Sequence, residues 1–209
     1  ALSDADLSRR MLGCGDGPAS FNAEATRAGH AVVSCDPIYQ FSASQIRTRL
    51  DDTYTQVLEQ TRANADEFVW TEVRSVEELG RVRMDAMTAF LDDYEAGTAA
   101  GRYVHAALPT LPFDDQAFDL ALSSHFLFLY STQLGEAFHR DAVREMCRVA
   151  REVRIFPLLQ LGATPSALVE PVVAMLGRDG FLATIETVPY QFQRGGSQML
   201  RIRRRSAEV

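Results

Sequence analysis

Apolar positions recur along this chain in two alternating periods. Arg10-Met11-Leu12 runs into Gly13-Cys14-Gly15-Asp16-Gly17, which predicts a short strand ending in a glycine turn. Phe21 to Ala28 then reads as a helix stopped by Gly29. Ala31-Val32-Val33-Ser34-Cys35 has the continuous apolar character of a buried strand, and Asp36-Pro37 ends it. The first third is therefore strand, turn, helix, strand, the sign of a parallel sheet.

Two long helical stretches follow. The first runs from Ala43 to Arg62 with Ile46, Leu50, Tyr54 and Val57 on one face. The second runs from Val76 to Glu95 with Leu79, Val82, Ala86, Phe90 and Tyr94 as its stripe. Ser42 with Gln45, and Ser75 with Glu78, match capping boxes at their starts. Phe68-Val69-Trp70 is an apolar knot in the polar linker between them. Alternation then resumes, with strands at Tyr103 to Ala107, Phe118 to Ser123 and Val153 to Leu159, and a helix at Arg140 to Arg151. Thr164-Pro165 opens a further helix, proline standing in the favoured first turn, and that helix ends between Gly177 and Gly180. Phe181 to Val188 and Met199 to Arg203 are strands joined through Gly195-Gly196, as in a hairpin. The order predicts one α/β domain over residues 1–209 with a helical insertion at about 40–100. Its sheet is doubly wound and mostly parallel, has helices on both faces, and carries one antiparallel strand near its edge. Ligands of such sheets bind at the carboxyl ends of the first strands.

Composition narrows the classes. With 209 residues and 46% apolar content the chain builds an ordinary core without staples. A net charge of −7 argues against gripping nucleic acid over a broad surface. Every cation is arginine; the tail Arg201, Arg203, Arg204 and Arg205 reads as the solvated end of an edge strand rather than a phosphate contact. Cys14, Cys35 and Cys147 fit neither a disulfide framework nor a zinc spacing, so no metal site is predicted and a reducing cytoplasm is the expected location. No apolar run reaches the roughly 18 residues of a membrane span, and no charged-then-apolar leader opens the chain. The glycine motif begins early, at Gly13, which leaves open an amino-terminal helix ahead of Ala1 or a segment joined across a gap.

Two features carry candidate chemistry. Gly13, Gly15 and Gly17 let backbone approach a ligand closely, and the helix start that follows offers free N–H groups. A dinucleotide fingerprint wants G-x-G-x-x-G; here Pro18 stands at the third glycine's position, which favours a nucleoside-type ligand over a nicotinamide dinucleotide. Asp36, after the second strand, is placed to accept from both hydroxyls of a ribose. The plainer reading is a strand-end aspartate capping a turn before Pro37.

These residues resemble the class I S-adenosylmethionine-dependent methyltransferase family. Leu12-Gly13-Cys14-Gly15-Asp16-Gly17 is similar to its first motif and Val33-Ser34-Cys35-Asp36 to its second. Leu111-Pro112-Phe113-Asp114-Asp115-Gln116-Ala117-Phe118-Asp119-Leu120-Ala121-Leu122-Ser123 is similar to the segment leading into its fourth strand. The resemblance covers residues 10–36 and 103–205. It implies a Rossmann-like, seven-stranded, mostly parallel sheet with an antiparallel edge hairpin, and S-adenosyl-L-methionine as cofactor. Gly13, Cys14, Gly15 and Gly17 would line the methionine and ribose portion. Asp36, beside Pro37, would hold the ribose hydroxyls, and Ile38, Ala107 and Leu108 would flank the adenine. Ser123 and Ser124 would end the fourth strand beside the sulfonium. The chain departs from the family pattern at Met11, where an acid is frequent, at Ala107, where many members carry Asp, and at Arg148-Val149-Ala150-Arg151, which replaces a Pro-Gly-Gly.

The acceptor implied is a small molecule. His125, just after the fourth strand, is a candidate base for a hydroxyl or thiol; its plainer reading is a strand-end histidine. Phe126, Phe128 and Tyr130 read as helix packing, and His105 and His139 as structural. The absence of an Asn-Pro-Pro-Tyr pattern after this strand argues, by resemblance, against methylation of an exocyclic base nitrogen. The two long helices form either a lid, with Phe68 and Trp70 pointing inward, or an ordinary crossover with one extra helix. Two other readings stay open: a non-catalytic adenosyl-ligand-binding protein of the same fold, and a nicotinamide-dependent oxidoreductase.

Overall fold

The computed structural model describes residues 2–205. A short helix α1 (Asp4–Leu7) precedes strand β1 (Met11–Cys14), helix α2 (Phe21–Arg27) and strand β2 (Val32–Cys35). The long helices are α3 (Ala43–Ala63) and α4 (Val76–Ala99), followed by β3 (Tyr103–Val104) and β4 (Phe118–Ser124). Helix α5 (Ser131–Val149), broken at Gly135, leads straight into β5 (Ala150–Phe156). A small ribbon of β6 (Leu159–Gln160) and β7 (Thr164–Pro165) precedes α6 (Val169–Arg178), β8 (Phe181–Thr187) and β9 (Gln198–Arg204).

Seven strands form one sheet in the order β3-β2-β1-β4-β5-β9-β8. The first five pair in parallel, and β9 runs antiparallel to both of its neighbours. Strand β1 shows why the sheet is covered on both faces. Leu12 and Cys14 pack into a core with Val143 and Met146 of α5 and Val172 and Met175 of α6. Met11, on the opposite face, packs with Ala25 of α2 and Leu120 of β4. Both faces are therefore apolar, as a parallel sheet between helix layers requires. Among the described residues no helix is long and apolar enough to cross a membrane.

Several local expectations change. Pro165 lies in the β6–β7 ribbon rather than in the first turn of a helix. That helix starts at Val169, behind Ser166, whose Oγ accepts from the Leu168 N–H at 3.2 Å. Proline lacks an N–H and is tolerated at such a ribbon edge. Strand β3 is only two residues long because β2 offers it only Ser34 and Cys35 before turning at Asp36. Val57 and Val82, placed by periodicity on buried stripes, are exposed, although α3 packs against α4 close by, where Tyr54 and Leu58 approach Gly80. The arginine tail is solvated at Arg203, Arg204 and Arg205, as expected, but it does not lie on an edge strand. Strand β9 lies between β5 and β8, and Arg201 binds the buried Glu152 at 2.8 and 3.1 Å.

Candidate functional site

Strand β1 delivers the glycine bend to the carboxyl end of the sheet, where the Gly15 N–H donates to the Cys35 carbonyl at 2.9 Å. Each glycine of the bend answers a different demand. A Cβ at Gly13 would collide with the carboxylate of Asp16, which folds back over it. A Cβ at Gly15, which has φ +71°, would meet the ring of Phe126 at 2.6 Å. Gly17 has free space around it but a φ of +58°, so its requirement is one of backbone conformation.

Asp36 reaches the bend directly. Its Oδ2 accepts from the Gly17 N–H at 2.9 Å and its Oδ1 from the Ile38 N–H at 2.9 Å. The second bond caps the turn Pro37–Gln40, so the plainer reading of Asp36 is realised too. Two amides occupy half of the about four acceptor positions of a carboxylate, leaving room for two further donors. Burial pushes the Asp36 pKa up, against the two amide bonds, which pull it down. The Tyr39 hydroxyl donates to the Gly17 carbonyl at 2.8 Å and fixes the bend from the other side.

Beside the bend lies a cavity of about 750 Å³. Gly13, Asp16, Ala19 and Phe21 form one wall, and Leu122, Ser123, Ser124 and His125 of the β4 end form its floor. Arg154, Phe156, Val188, Tyr190 and Met199, from β5 and the β8–β9 hairpin, close the far side. The lining is predominantly apolar, which suits ligands with large carbon surfaces. Ser123 is 1% exposed and its Oγ has no hydrogen-bond partner among the described residues.

His125 sits at the cavity with a left-handed φ of +56°, uncommon for a residue with a side chain. Its N–H donates to the Phe156 carbonyl at 2.7 Å, and its Nδ1 lies 2.9 Å from Ser124 Oγ. Its ring meets Phe156 and Tyr190 edge-on. His125 is exposed at the rim of the cavity, and its partial desolvation there, then the charge of Arg83, lower its pKa from the ordinary 6.5.

The cavity thus gathers Gly13, Ser123, Ser124 and His125 from the predicted site residues. Gly15, Gly17, Asp36, Pro37 and Ile38 do not line the cavity; Asp36 binds the amides of Gly17 and Ile38 beside it. Cys14 points into the core and is fully buried, so its side chain faces no ligand. Leu108 is likewise a core residue, and Ala107 bridges to Thr110 at the surface. Phe68 and Trp70 do not point into the cavity. Phe68 stacks on Phe192 and Trp70 meets it edge-on, pinning the linker to the β8–β9 hairpin, with the Val69 N–H bonded to the Phe192 carbonyl at 2.8 Å. Phe128 is core and Tyr130 exposed, while His139 is buried with its ring nitrogens on the carbonyls of Gly135 and Leu127. Sequence reasoning missed Asp16, Phe156 and Tyr190 as wall residues. Only Asp16 left a signal, a carboxylate inside the glycine motif.

A seven-stranded sheet in this order, with its ligand end at β1, β2 and β4, is the class I S-adenosylmethionine-dependent methyltransferase fold. The magnesium protoporphyrin IX methyltransferase of Synechocystis PCC 6803, crystallised with bound SAM, is similar at a TM-score of 0.51 and 13% identity, over 97% of this chain and 73% of that one. TnmH is similar at a TM-score of 0.51 and 11% identity, over 97% of this chain and 52% of that one. In sequence, the chain is 30% identical over 204 residues to the uncharacterized protein MJ0045 of Methanocaldococcus jannaschii, covering 97% of this chain and 89% of that protein. The chain belongs to that protein's family. No protein-family model matches it.

Proposed function

We propose that this chain transfers a methyl group from S-adenosylmethionine to a small, largely apolar acceptor. The observation that carries the reading is the direct bond between Gly17 and Asp36 beside a cavity at the carboxyl ends of β1 and β4. Asp36, fixed by two amides, keeps acceptor positions for the hydroxyls of a ribose. Ile38 stands next to it for the adenine, with the exposed Ala107 as the other edge. Ser123 and Ser124, which line the cavity, would stand beside the cofactor's reactive end.

What S-adenosylmethionine supplies when bound is a methyl group already activated on a sulfonium. The chain's own residues align the acceptor and exclude water, which is most of what an in-line displacement needs from a protein. Phe21, Leu122, Phe156 and Met199 provide the dry walls. In the tautomer whose Nδ1–H donates to Ser124 Oγ, His125 would present a free Nε2 to take a proton from a hydroxyl or thiol. Calorimetric titration with S-adenosylmethionine, S-adenosylhomocysteine and NADH tests the reading. Saturable binding of the two adenosyl ligands and none of NADH is expected; the reverse result makes the chain a nicotinamide-binding protein.

A further inference from the structure

Helix α4 leads into β3, which runs parallel to β2, so the helix starts at the carboxyl ends of the strands, where the cavity lies. Its inward stripe holds the buried Val76, Gly80, Phe90 and Tyr94 and the half-buried Met87. Arg83 falls on that same stripe, between Gly80 and Met87, and is itself half-buried. Its neighbour Arg81 faces solvent and pairs with Glu78 at 3.6 Å. Arg83 makes no ion pair and no side-chain hydrogen bond among the described residues. Burial pushes its pKa down, and no carboxylate pulls it back. Its charge is felt at His125 and Tyr190, two residues of the cavity lining. The arginine in the cavity wall, Arg154, is committed to Asp6 at 2.6 and 3.0 Å and to Glu152 at 2.7 Å. A guanidinium taken partly out of water without an acid partner costs the fold stability. The apolar chamber thus carries an uncommitted cation beside its rim.

We propose that Arg83 receives a carboxylate carried by the methyl acceptor, so that the substrate class is an amphipathic acid, with an apolar body for the cavity and an anion for the rim beside His125 and Tyr190. The inference rests on the methyl-transfer reading and narrows its acceptor. The planar fork of a guanidinium matches a carboxylate with two parallel hydrogen bonds. One cation balances the single charge of a carboxylate. A phosphate monoester carries close to two charges and wants a second cation. The other charge acting on Tyr190 is the Glu72 carboxylate, which would repel a dianion. The body of the acid meets Leu122, Phe156, Val188 and Met199. An anion on Arg83 offsets the smaller cause of the lowered His125 pKa and leaves desolvation, the larger one, in place.

Calorimetry with octanoate and octanamide, equal in length and different in charge, isolates the effect. Each is titrated into the protein with and without saturating S-adenosylhomocysteine. The wild type is expected to bind octanoate about 10-fold tighter than octanamide. Arg83→Met keeps a carbon stem and removes the charge. It is expected to abolish that preference and to change octanamide affinity by less than about threefold, which also shows that the variant is folded. Arg83→Lys is expected to retain part of the preference. Equal wild-type affinity for the two probes, a preference that survives in Arg83→Met, or no binding of either probe overturns the role of Arg83 while leaving the methyl-transfer reading standing. Failure of S-adenosylhomocysteine to bind overturns that reading, and the preference measured in the ligand-free protein then judges Arg83 as an anion site by itself.

Discussion

The backbone N–H of Gly17 donates to Oδ2 of Asp36 at 2.9 Å, tying the last glycine of the bend to the carboxylate that closes β2. One side chain therefore serves the fold and the proposed ribose site together. Asp36→Ala removes the acceptor for two amides, Gly17 and Ile38. It is expected to cost about 1–3 kcal/mol in urea unfolding. It is also expected to abolish the rise in melting temperature that S-adenosylhomocysteine gives the wild type. A variant that keeps the full thermal shift removes Asp36 from the ligand site.

Asp16 carries the opposite sign of effect. Its pKa is raised to about 6, chiefly by burial. An acid raised on folding contributes its stability below its unfolded pKa, near 4, and loses it as pH rises through the folded value. At pH 7.5 the ligand-free protein thus holds a buried charge at a cost. Asp16→Asn is expected to stabilise it by about 1–2 kcal/mol at that pH and by little at pH 4. Denaturant midpoints at the two pH values check this. A gain at pH 4 as large as at pH 7.5 rules out charge as the cause.

The strands were legible because most have their own run of apolar residues, and β1, β2, β4 and the closing hairpin fell close to where the pattern put them; the link from β3 to β4 carries no helix. What periodicity cannot see is which positions of a stripe find cover. Val57 and Val82 sit on correct helical stripes but are exposed. Pro165 carries a helix-start signal that the pairing of β6 with β7 overrides. At the site, the bend and Asp36 were legible because glycine and a strand-end acid are rare, position-specific choices. Phe156 and Tyr190 were not, since an aromatic residue reads as core until long-range packing puts it beside His125.

Strand β5 presents Glu152 and Arg154 to the face opposite Val153 and Ile155, and there they meet Asp6 of α1 and Arg201 of β9. The network is buried, with Arg154 at 8% exposure and Glu152 at 5%. Arg154→Met leaves two carboxylates without their central partner and is expected to cost about 3–5 kcal/mol. The pH dependence follows from Asp6, whose carboxyl Arg154 holds well below the usual carboxylate range. An acid lowered on folding contributes stability above its unfolded pKa and loses it as pH falls through the folded one. The wild type is therefore expected to lose stability from about pH 4 downward. In Arg154→Met that acid-dependent part is expected to shrink. Parallel acid titrations of both proteins, followed by circular dichroism, separate the two; an unchanged acid slope in the variant means that Asp6 is stabilised by other groups.

His125 acts as a base only if its imidazole is free of a proton at neutral pH. Partial desolvation beside Phe156 and Tyr190 is the larger cause of its lowered pKa, and Arg83 is the second. A nuclear magnetic resonance titration of its ring protons is expected to show a midpoint below the ordinary 6.5. Arg83→Met removes the repelling cation and leaves the walls, so the midpoint is expected to rise without reaching the ordinary value. That ordering matters for the chemistry. If the charge of Arg83 were the main cause, an anionic ligand screening it would protonate His125 and disable the base. With burial dominant, an apolar acceptor that fills the cavity drives the imidazole further toward its neutral form. A wild-type midpoint above 6.5 leaves His125 partly charged at pH 7 and takes the proton-accepting role from it.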